Sequence, residues 1–166
     1  MADKMAVMNG GVLQQYDAPQ RVFEHPVNTF VAGFVGSPAM NLIPARVATT
    51  ATGAALESKD GWRCGLSAAN ARKALTATSP EVVIGARHST IRLSSEASGG
   101  TISGRIYTVE PTGDVTYVHV RLGSDTIIVS VAPDFRLAAD QPIEVAFDQE
   151  KLHLFDAATG LALTAA

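Results

Sequence analysis

Apolar and polar residues alternate along three consecutive stretches between Ile102 and Val131. Successive side chains of an extended chain point to opposite faces, so alternation places the apolar residues on one side. In the middle stretch that side carries Val118, Val120 and Leu122. Residues typical of turns separate the stretches at 110–114 and 123–125. The pattern predicts an antiparallel meander of three strands with one buried face.

Short apolar runs continue on both sides of this meander, from Met40 to Phe155, at spacings near ten residues and with Pro, Gly and Asp between them. The run Ile143–Phe147 alternates in the same way as the meander. Many short strands at such spacing are typical of a small β-barrel or sandwich. We therefore expect a mainly β, antiparallel body over most of the chain.

The first 36 residues have a different pattern. Asn9-Gly10 lies between two short apolar runs and predicts a tight hairpin, because both residues tolerate positive φ. Asp17 is the expected N-cap of a helix over 18–24, and Asn28 that of a second helix over 29–35. Two helices this short cannot cover their apolar residues, so we expect this segment to be poorly anchored or to pack against a neighbouring chain.

Composition limits both the partners and the cellular compartment that we expect for this chain. The net charge is −3 and only 17% of residues are charged, so the electrostatic signature of a nucleic-acid-binding protein is missing. The single cysteine, Cys64, cannot form an internal disulfide, which fits a reducing compartment. The sequence shows neither a secretion signal nor an apolar run of membrane-spanning length. We expect a cytoplasmic protein.

The sequence lacks the motifs of a nucleotide-hydrolysing enzyme. A phosphate-binding loop needs a Gly-Lys pair, and the sequence contains none. Residues 98–101, Ser-Gly-Gly-Thr, imitate part of an ABC signature, but a strand pattern follows them instead of a helix. The histidines lack metal-ligand spacing. We predict no catalytic, metal-binding or cofactor-binding residue, and no ATP hydrolysis by this chain.

Trp62 is the only tryptophan, and two interpretations of it remain open. With Tyr107 and Tyr117 it could form a stacking platform for a sugar or a base on the open face of a barrel. Solitary aromatic residues more often fill a core or an interface, and this interpretation is favoured.

Four passages resemble one family, the ATP-binding subunits of ABC importers for sugars and related solutes, of the maltose and glycerol-phosphate type. They are residues 2–11 with Gln15, residues 30–41, residues 109–113 with Val118-His119-Val120, and residues 153–156 with Thr159-Gly160. Their order and spacing match over nearly the whole chain. One departure is Gly85-Ala86-Arg87-His88-Ser89, where relatives commonly have Gly-Ile-Arg-Pro-Glu.

The resemblance implies that residues 1–36 are a remnant of the ATPase domain, namely a hairpin and two short helices. Residues 37–166 would form the regulatory domain, an OB-type (TOBE/MOP-like) antiparallel barrel. Its implied role is to regulate and dimerise the subunit, coupling transport without hydrolysing ATP. Implied partners are a second copy, the membrane-spanning permease subunits and a regulatory protein, at the inner face of the cell membrane. ATP and magnesium would bind only the full-length parent.

The candidate interface and regulatory residues come from these passages and from the departing loop. They are Gly36, Ser37, Pro38, Met40, Asn41, Arg87, Glu110, Gly113 and His119. An alternative of a different class is a free-standing OB-type module that binds a sugar, a sugar phosphate or an oxyanion.

Overall fold

The computed structural model describes residues 3–51 and 53–164. Ala2, with which the first matched passage begins, lies outside the described residues. In the described part, strands greatly outnumber helices, which confirms the mainly β fold. No described helix has both the length and the apolar character needed to cross a membrane.

The described strands form one two-stranded and two five-stranded sheets. The small sheet pairs β1 (Met5–Asn9) with β2 (Val12–Asp17). The first large sheet has the order β12-β6-β3-β4-β5, with bounds His153–Asp156, Glu81–Ala86, Asn41–Thr50, Gly53–Glu57 and Arg63–Gly65. The second has the order β10-β9-β8-β11-β7, with bounds Asp125–Val131, Thr116–Leu122, Ile102–Pro111, Pro142–Phe147 and Ile91–Ser94. The helices are α1 (Pro19–Glu24), α2 (Thr29–Phe34) and α3 (Ala68–Ala74), with a 3₁₀ turn at His88–Thr90.

The predicted meander is confirmed as β8, β9 and β10, and Val118, Val120 and Leu122 are fully buried. The two large sheets curl around one shared core and form an OB-type half-barrel, to which both contribute aliphatic side chains. One detail differs from strict alternation. The register shifts between Ile106 and Thr108, so Tyr107 is an extra residue in β8 and its side chain is exposed.

The N-terminal segment packs partly on itself and partly on the barrel. Val7, Val22 and Val31 form a small core of their own, whereas Ala32 packs with Met40 and Phe155 of the barrel. The expectation of poor anchoring is therefore wrong for these buried residues. At Phe34, which is 65% exposed, the expectation of poor anchoring agrees with the structure.

The predicted caps of the two helices have different outcomes. The side chain of Asn28 accepts a hydrogen bond from the Val31 amide at 2.9 Å and caps α2 as expected. The expected cap Asp17 is wrong, because Ala18 occupies the N-cap position of α1 and makes no side-chain cap. Asp17 instead pairs with Arg21 at 3.0 Å, on the outer surface of the helix.

A substitution at Gly85 in β6 tests how tightly the end of the first large sheet is packed. A Cβ at this position would lie 2.6 Å from Met40 Sδ and 2.7 Å from Phe155 Cε2. We expect Gly85→Ala to lower the free energy of unfolding by about 1–3 kcal/mol, because the crowded core must shift. Gly65→Ala is the matched control, since Gly65 is also in a strand and a Cβ there would meet nothing within 4 Å. Urea denaturation measures both, and equal midpoints would contradict the prediction.

Candidate functional site at the junction of helices and barrel

The structure brings six of the nine candidate residues to one end of the barrel, where α1 and α2 meet the first large sheet. They are Gly36, Ser37, Pro38, Met40, Asn41 and Arg87. The connection from α2 to β3 contains the first four of them and includes a cis Ser37–Pro38 peptide bond. Asn41 begins β3 and pairs with Ala86, the last residue of β6, and Arg87 follows directly.

Arg87 is the centre of this junction. Its side chain is only 4% exposed. Nη1 donates to the Val35 carbonyl at 2.5 Å and Nη2 donates to the Phe23 carbonyl at 2.8 Å. The guanidinium also lies over the Phe23 ring, with 4.0 Å from Cζ to the ring centroid. One side chain from the barrel thus contacts the ends of both helices.

The charge of Arg87 has no carboxylate partner within the described ranges, where the ion pairs involve Arg21, Arg46, Arg63 and His119. Nε is also buried there without a hydrogen-bond partner. Burial lowers the pKa of Arg87 from its ordinary value, but arginine stays charged in proteins. The partial negative charges of backbone carbonyls at two helix ends therefore stabilise the cation, as expected at a helix C-terminus.

Gly36 makes this contact possible. Its φ is +112°, and a Cβ would lie 2.8 Å from Arg87 Nη1 and 3.2 Å from Phe23 Cε2. Glycine is the residue that adopts this conformation without strain. The position therefore requires glycine for its backbone and for the space next to the guanidinium.

Asn41 joins the two large sheets through its side chain. Nδ2 donates to the carbonyls of Ile128 at 2.8 Å and Ala86 at 3.1 Å, and Oδ1 accepts from the Ile128 amide at 2.7 Å. Ile128 lies in β10, an outer strand of its sheet, so the carboxamide takes the place of a neighbouring strand. This contact fastens the seam of the half-barrel.

The other three candidates lie at the β8–β9 hairpin. Glu110 Oε1 and His119 Nε2 are 3.2 Å apart, and Gly113 adopts φ +105° in the turn. His119 lies opposite Ile128 in the register of β9 and β10. Asn41 and His119 therefore meet the same residue of β10, which connects the two groups of candidates.

The nine candidate residues differ in how far they are exposed to solvent. Met40, Asn41 and Arg87 are buried, so they shape the junction and do not present a contact surface. Gly36, Ser37, Glu110 and Gly113 are exposed, and Pro38 and His119 are half-buried. Two open clefts, of about 380 Å³ beside Pro44 and about 400 Å³ beside Thr76, are lined by none of the nine.

Three further residues lie at this junction but are not among the nine candidates, namely Phe23, Gly85 and His153. A glycine within a strand indicates close approach of another group, so Gly85 gave a usable signal. Phe23 gave none, because it is 64 residues from Arg87 in sequence. His153 stacks on Phe155, with ring centroids 6.3 Å apart. Burial, together with the charges of Arg87, His25 and Lys73, lowers the pKa of His153 to about 4.

Two chemical features of the described residues concern the free cysteine and metal binding. Burial raises the pKa of Cys64 to about 11, so the thiol is not a nucleophile at neutral pH. Among residues 3–51 and 53–164, no group of three His, Cys, Asp or Glu side chains could hold a metal ion. Trp62 packs against the main core, which confirms the packing interpretation of that residue.

Comparison with known proteins identifies related chains. The TOBE domain family matches residues 85–155. The chain is 34% identical to the trehalose/maltose import ATP-binding protein MalK of Thermococcus litoralis over 98% of its length and 45% of that protein. It is 34% identical to the sn-glycerol-3-phosphate import ATP-binding protein UgpC of Escherichia coli O157:H7, over 96% of its length and 43% of that protein.

The chain carries a TOBE domain and is homologous to the ATP-binding subunits of ABC importers. This confirms the resemblance seen in the sequence. The TOBE match begins at Gly85 and includes Arg87, Glu110, Gly113 and His119, whereas Gly36–Asn41 precede it. The chain spans less than half the length of these relatives.

A solved structure supports the fold of the TOBE-containing chain. The cytoplasmic molybdate-binding protein ModG superposes with a TM-score of 0.55, covering 69% of this chain and 94% of ModG. The sequences are 17% identical, so the similarity concerns the architecture alone.

Alanine substitutions at Gly36 and Gly113 separate the free-energy cost of displacing Arg87 from the cost of backbone strain. Both have similar positive φ, but a Cβ at Gly113 would meet nothing within 4 Å. We expect Gly36→Ala to lower the free energy of unfolding by about 1–2 kcal/mol more than Gly113→Ala, because Arg87 must move as well. Urea denaturation of both variants measures the difference. Equal losses would show that Arg87 adapts without cost.

The lowered pKa of His153 predicts that the folded chain loses stability in acid. Its pKa is lowered to about 4 in the folded chain from an ordinary 6.5, so between these values the unfolded chain binds a proton that the folded chain excludes. Stability should therefore fall as the pH drops from 6.5 to 4, by up to about 3 kcal/mol from this group. Urea denaturation as a function of pH measures the slope. His153→Gln should remove this part of the slope, and an unchanged slope would contradict the assignment.

Proposed function

We propose that this chain is the regulatory and dimerisation part of the ATP-binding subunit of an importer for carbohydrates or related solutes. The observation that carries the proposal is the similarity to MalK and UgpC over almost the whole chain. Both relatives are import ATP-binding proteins by name, and this sequence has no Gly-Lys pair to bind phosphates. Regulation and assembly are the roles that remain for such a part, and it does not hydrolyse ATP.

We further propose that residues 1–36 belong to the ATPase domain of the parent and residues 37–166 to the regulatory domain. The separate core around Val22 and Val31 supports this division. The hairpin of β1 and β2 also exposes large apolar side chains, at Met8, Val12, Leu13 and Tyr16. An exposed apolar face of this kind is typical of a surface that packs against more protein.

The proposed dimer contact is isologous, using the outer face of the meander and the connection around Ser37. Exposure of Ser37, Glu110 and Gly113 supports this choice. Tyr107 and Arg121 are also on this side, where the guanidinium stacks over the ring with 4.0 Å from Cζ to the centroid. Tyrosine and arginine are enriched in protein interfaces.

In the cell we propose a cytoplasmic location for this part, at the inner face of the membrane when the transporter is assembled. We also propose permease subunits as partners of the parent, because the relatives are import proteins by name, and ATP with magnesium as its cofactors. A regulatory protein would act through the same barrel.

Light scattering coupled to size-exclusion chromatography at micromolar concentration tests the proposal. We expect a dimer, and we expect Ser37→Arg to shift it toward monomer, because Ser37 lies in the proposed contact and association would remove water from the added charge. Leu75→Arg is the matched control on an exposed site outside the proposed contact and should leave the dimer intact.

A monomer at every concentration would overturn the dimerisation role. Saturating heat on titration with maltose, glycerol 3-phosphate or molybdate would favour the ligand-binding module instead. Release of phosphate from ATP and magnesium by this chain would contradict the whole assignment.

A further inference from the structure

We infer that Arg87 and Asn41 act together as a mechanical connection, which transmits displacement of helices α1 and α2 to the outer edge of the meander. The connection consists of this chain's own contacts, so it stands whether or not the chain dimerises. If the regulatory role proposed above holds, it is the route by which the helices influence the barrel surface.

The first link is between the helices and β6. The last carbonyls of a helix lack partners within the helix and need donors from elsewhere. Phe23 lies in the last turn of α1 and Val35 is the C-cap of α2, and both carbonyls accept from Arg87. The guanidinium has a planar fork of donors, so one side chain can serve both carbonyls at fixed geometry.

This first link resists being opened. Within the described part of the chain the buried guanidinium has no carboxylate within 4 Å, so the two carbonyls and the Phe23 ring are its compensating partners. A shift of either helix away from β6 would leave a buried cation with fewer partners, which is strongly unfavourable. The helices and the end of β6 should therefore move together.

The second link is between β6 and the second large sheet. Ala86, which precedes Arg87, accepts from the Asn41 carboxamide at 3.1 Å, and the same carboxamide bonds the amide and the carbonyl of Ile128. One planar group therefore contacts both sheets. A movement of β6 at Arg87 changes the position of the carboxamide, and with it the edge of β10.

The connection ends at the candidate surface. Ile128 lies opposite His119, and His119 pairs with Glu110 on β8. Displacement at the helix ends thus reaches the Glu110–His119 pair through two side chains. Both side chains act as positioning residues, because each is buried and would not touch a partner.

Hydrogen exchange of the Ile128 amide tests the connection, because Asn41 Oδ1 is its acceptor. We expect Arg87→Met to speed exchange at Ile128 about ten-fold relative to the Val120 amide, since weakening one hydrogen bond changes local opening by about that factor. The Val120 reference removes any general loss of stability. Arg46→Met is the matched control, because Arg46 is in the same sheet but makes an exposed, 3.9 Å pair with Glu81.

A double-mutant comparison distinguishes a connection from two independent sites. If Arg87 acts through Asn41, the double variant Arg87→Met with Asn41→Leu should exchange at Ile128 no faster than Asn41→Leu alone. A double variant whose rate is the product of the two single effects would overturn the inference, as would no effect of Arg87→Met.

Arg87→Lys provides the same test if the methionine variant fails to fold. Lysine keeps the charge but cannot place a planar fork on two carbonyls. It should still speed exchange at Ile128, and an unchanged ratio to Val120 would contradict the connection. Exchange is measured below the concentration of any self-association, so its outcome is separate from that of the dimerisation test.

Discussion

A buried positive charge without a carboxylate partner in the described chain is the constraint on which the junction depends. Arg87 is compensated by the carbonyls of Phe23 and Val35 and by the face of the Phe23 ring. This explains several features that otherwise look unrelated. Both helices must end where their carbonyls face the barrel, and Gly36 must lack a side chain. Burial, and after it the nearby charge of Arg87, lowers the pKa of His153 to about 4.

The half-barrel has a second requirement, because two curled sheets leave strand edges that need partners. Side chains meet this requirement at two places along β10. At one position the Asn41 carboxamide bonds the Ile128 backbone. Near the start of β10, Asp60 accepts from the amide and the hydroxyl of Ser124 at 2.8 and 2.7 Å, which joins the β4–β5 and β9–β10 turns. These bonds lower the pKa of Asp60, and they stabilise the seam in place of continuous strand pairing.

The features predicted correctly from the sequence depend on local pattern. Alternation predicted the meander and its buried face, and Asn28 indicated the start of α2. The errors arise where a local rule competes with a longer contact. Asp17 has the right chemistry for a cap, but it pairs with Arg21 and the helix begins later. The extra residue Tyr107 in β8 has no local signal, because a bulge is fixed by the pairing of two strands.

The same distinction applies to the candidate site. Resemblance selected Arg87 and Asn41, but sequence alone gave no reason to expect that both are buried, since charged and amide side chains are mostly exposed. Their partners are 45 to 87 residues away, so no spacing rule could find them. Their burial also changes the meaning of the site. A surface residue contacts a partner directly, whereas a buried polar residue acts by fixing the relative position of two structural elements. The exposed part of the candidate set is therefore small, around Ser37 and the β8–β9 hairpin, and its shape depends on side chains that lie beneath it.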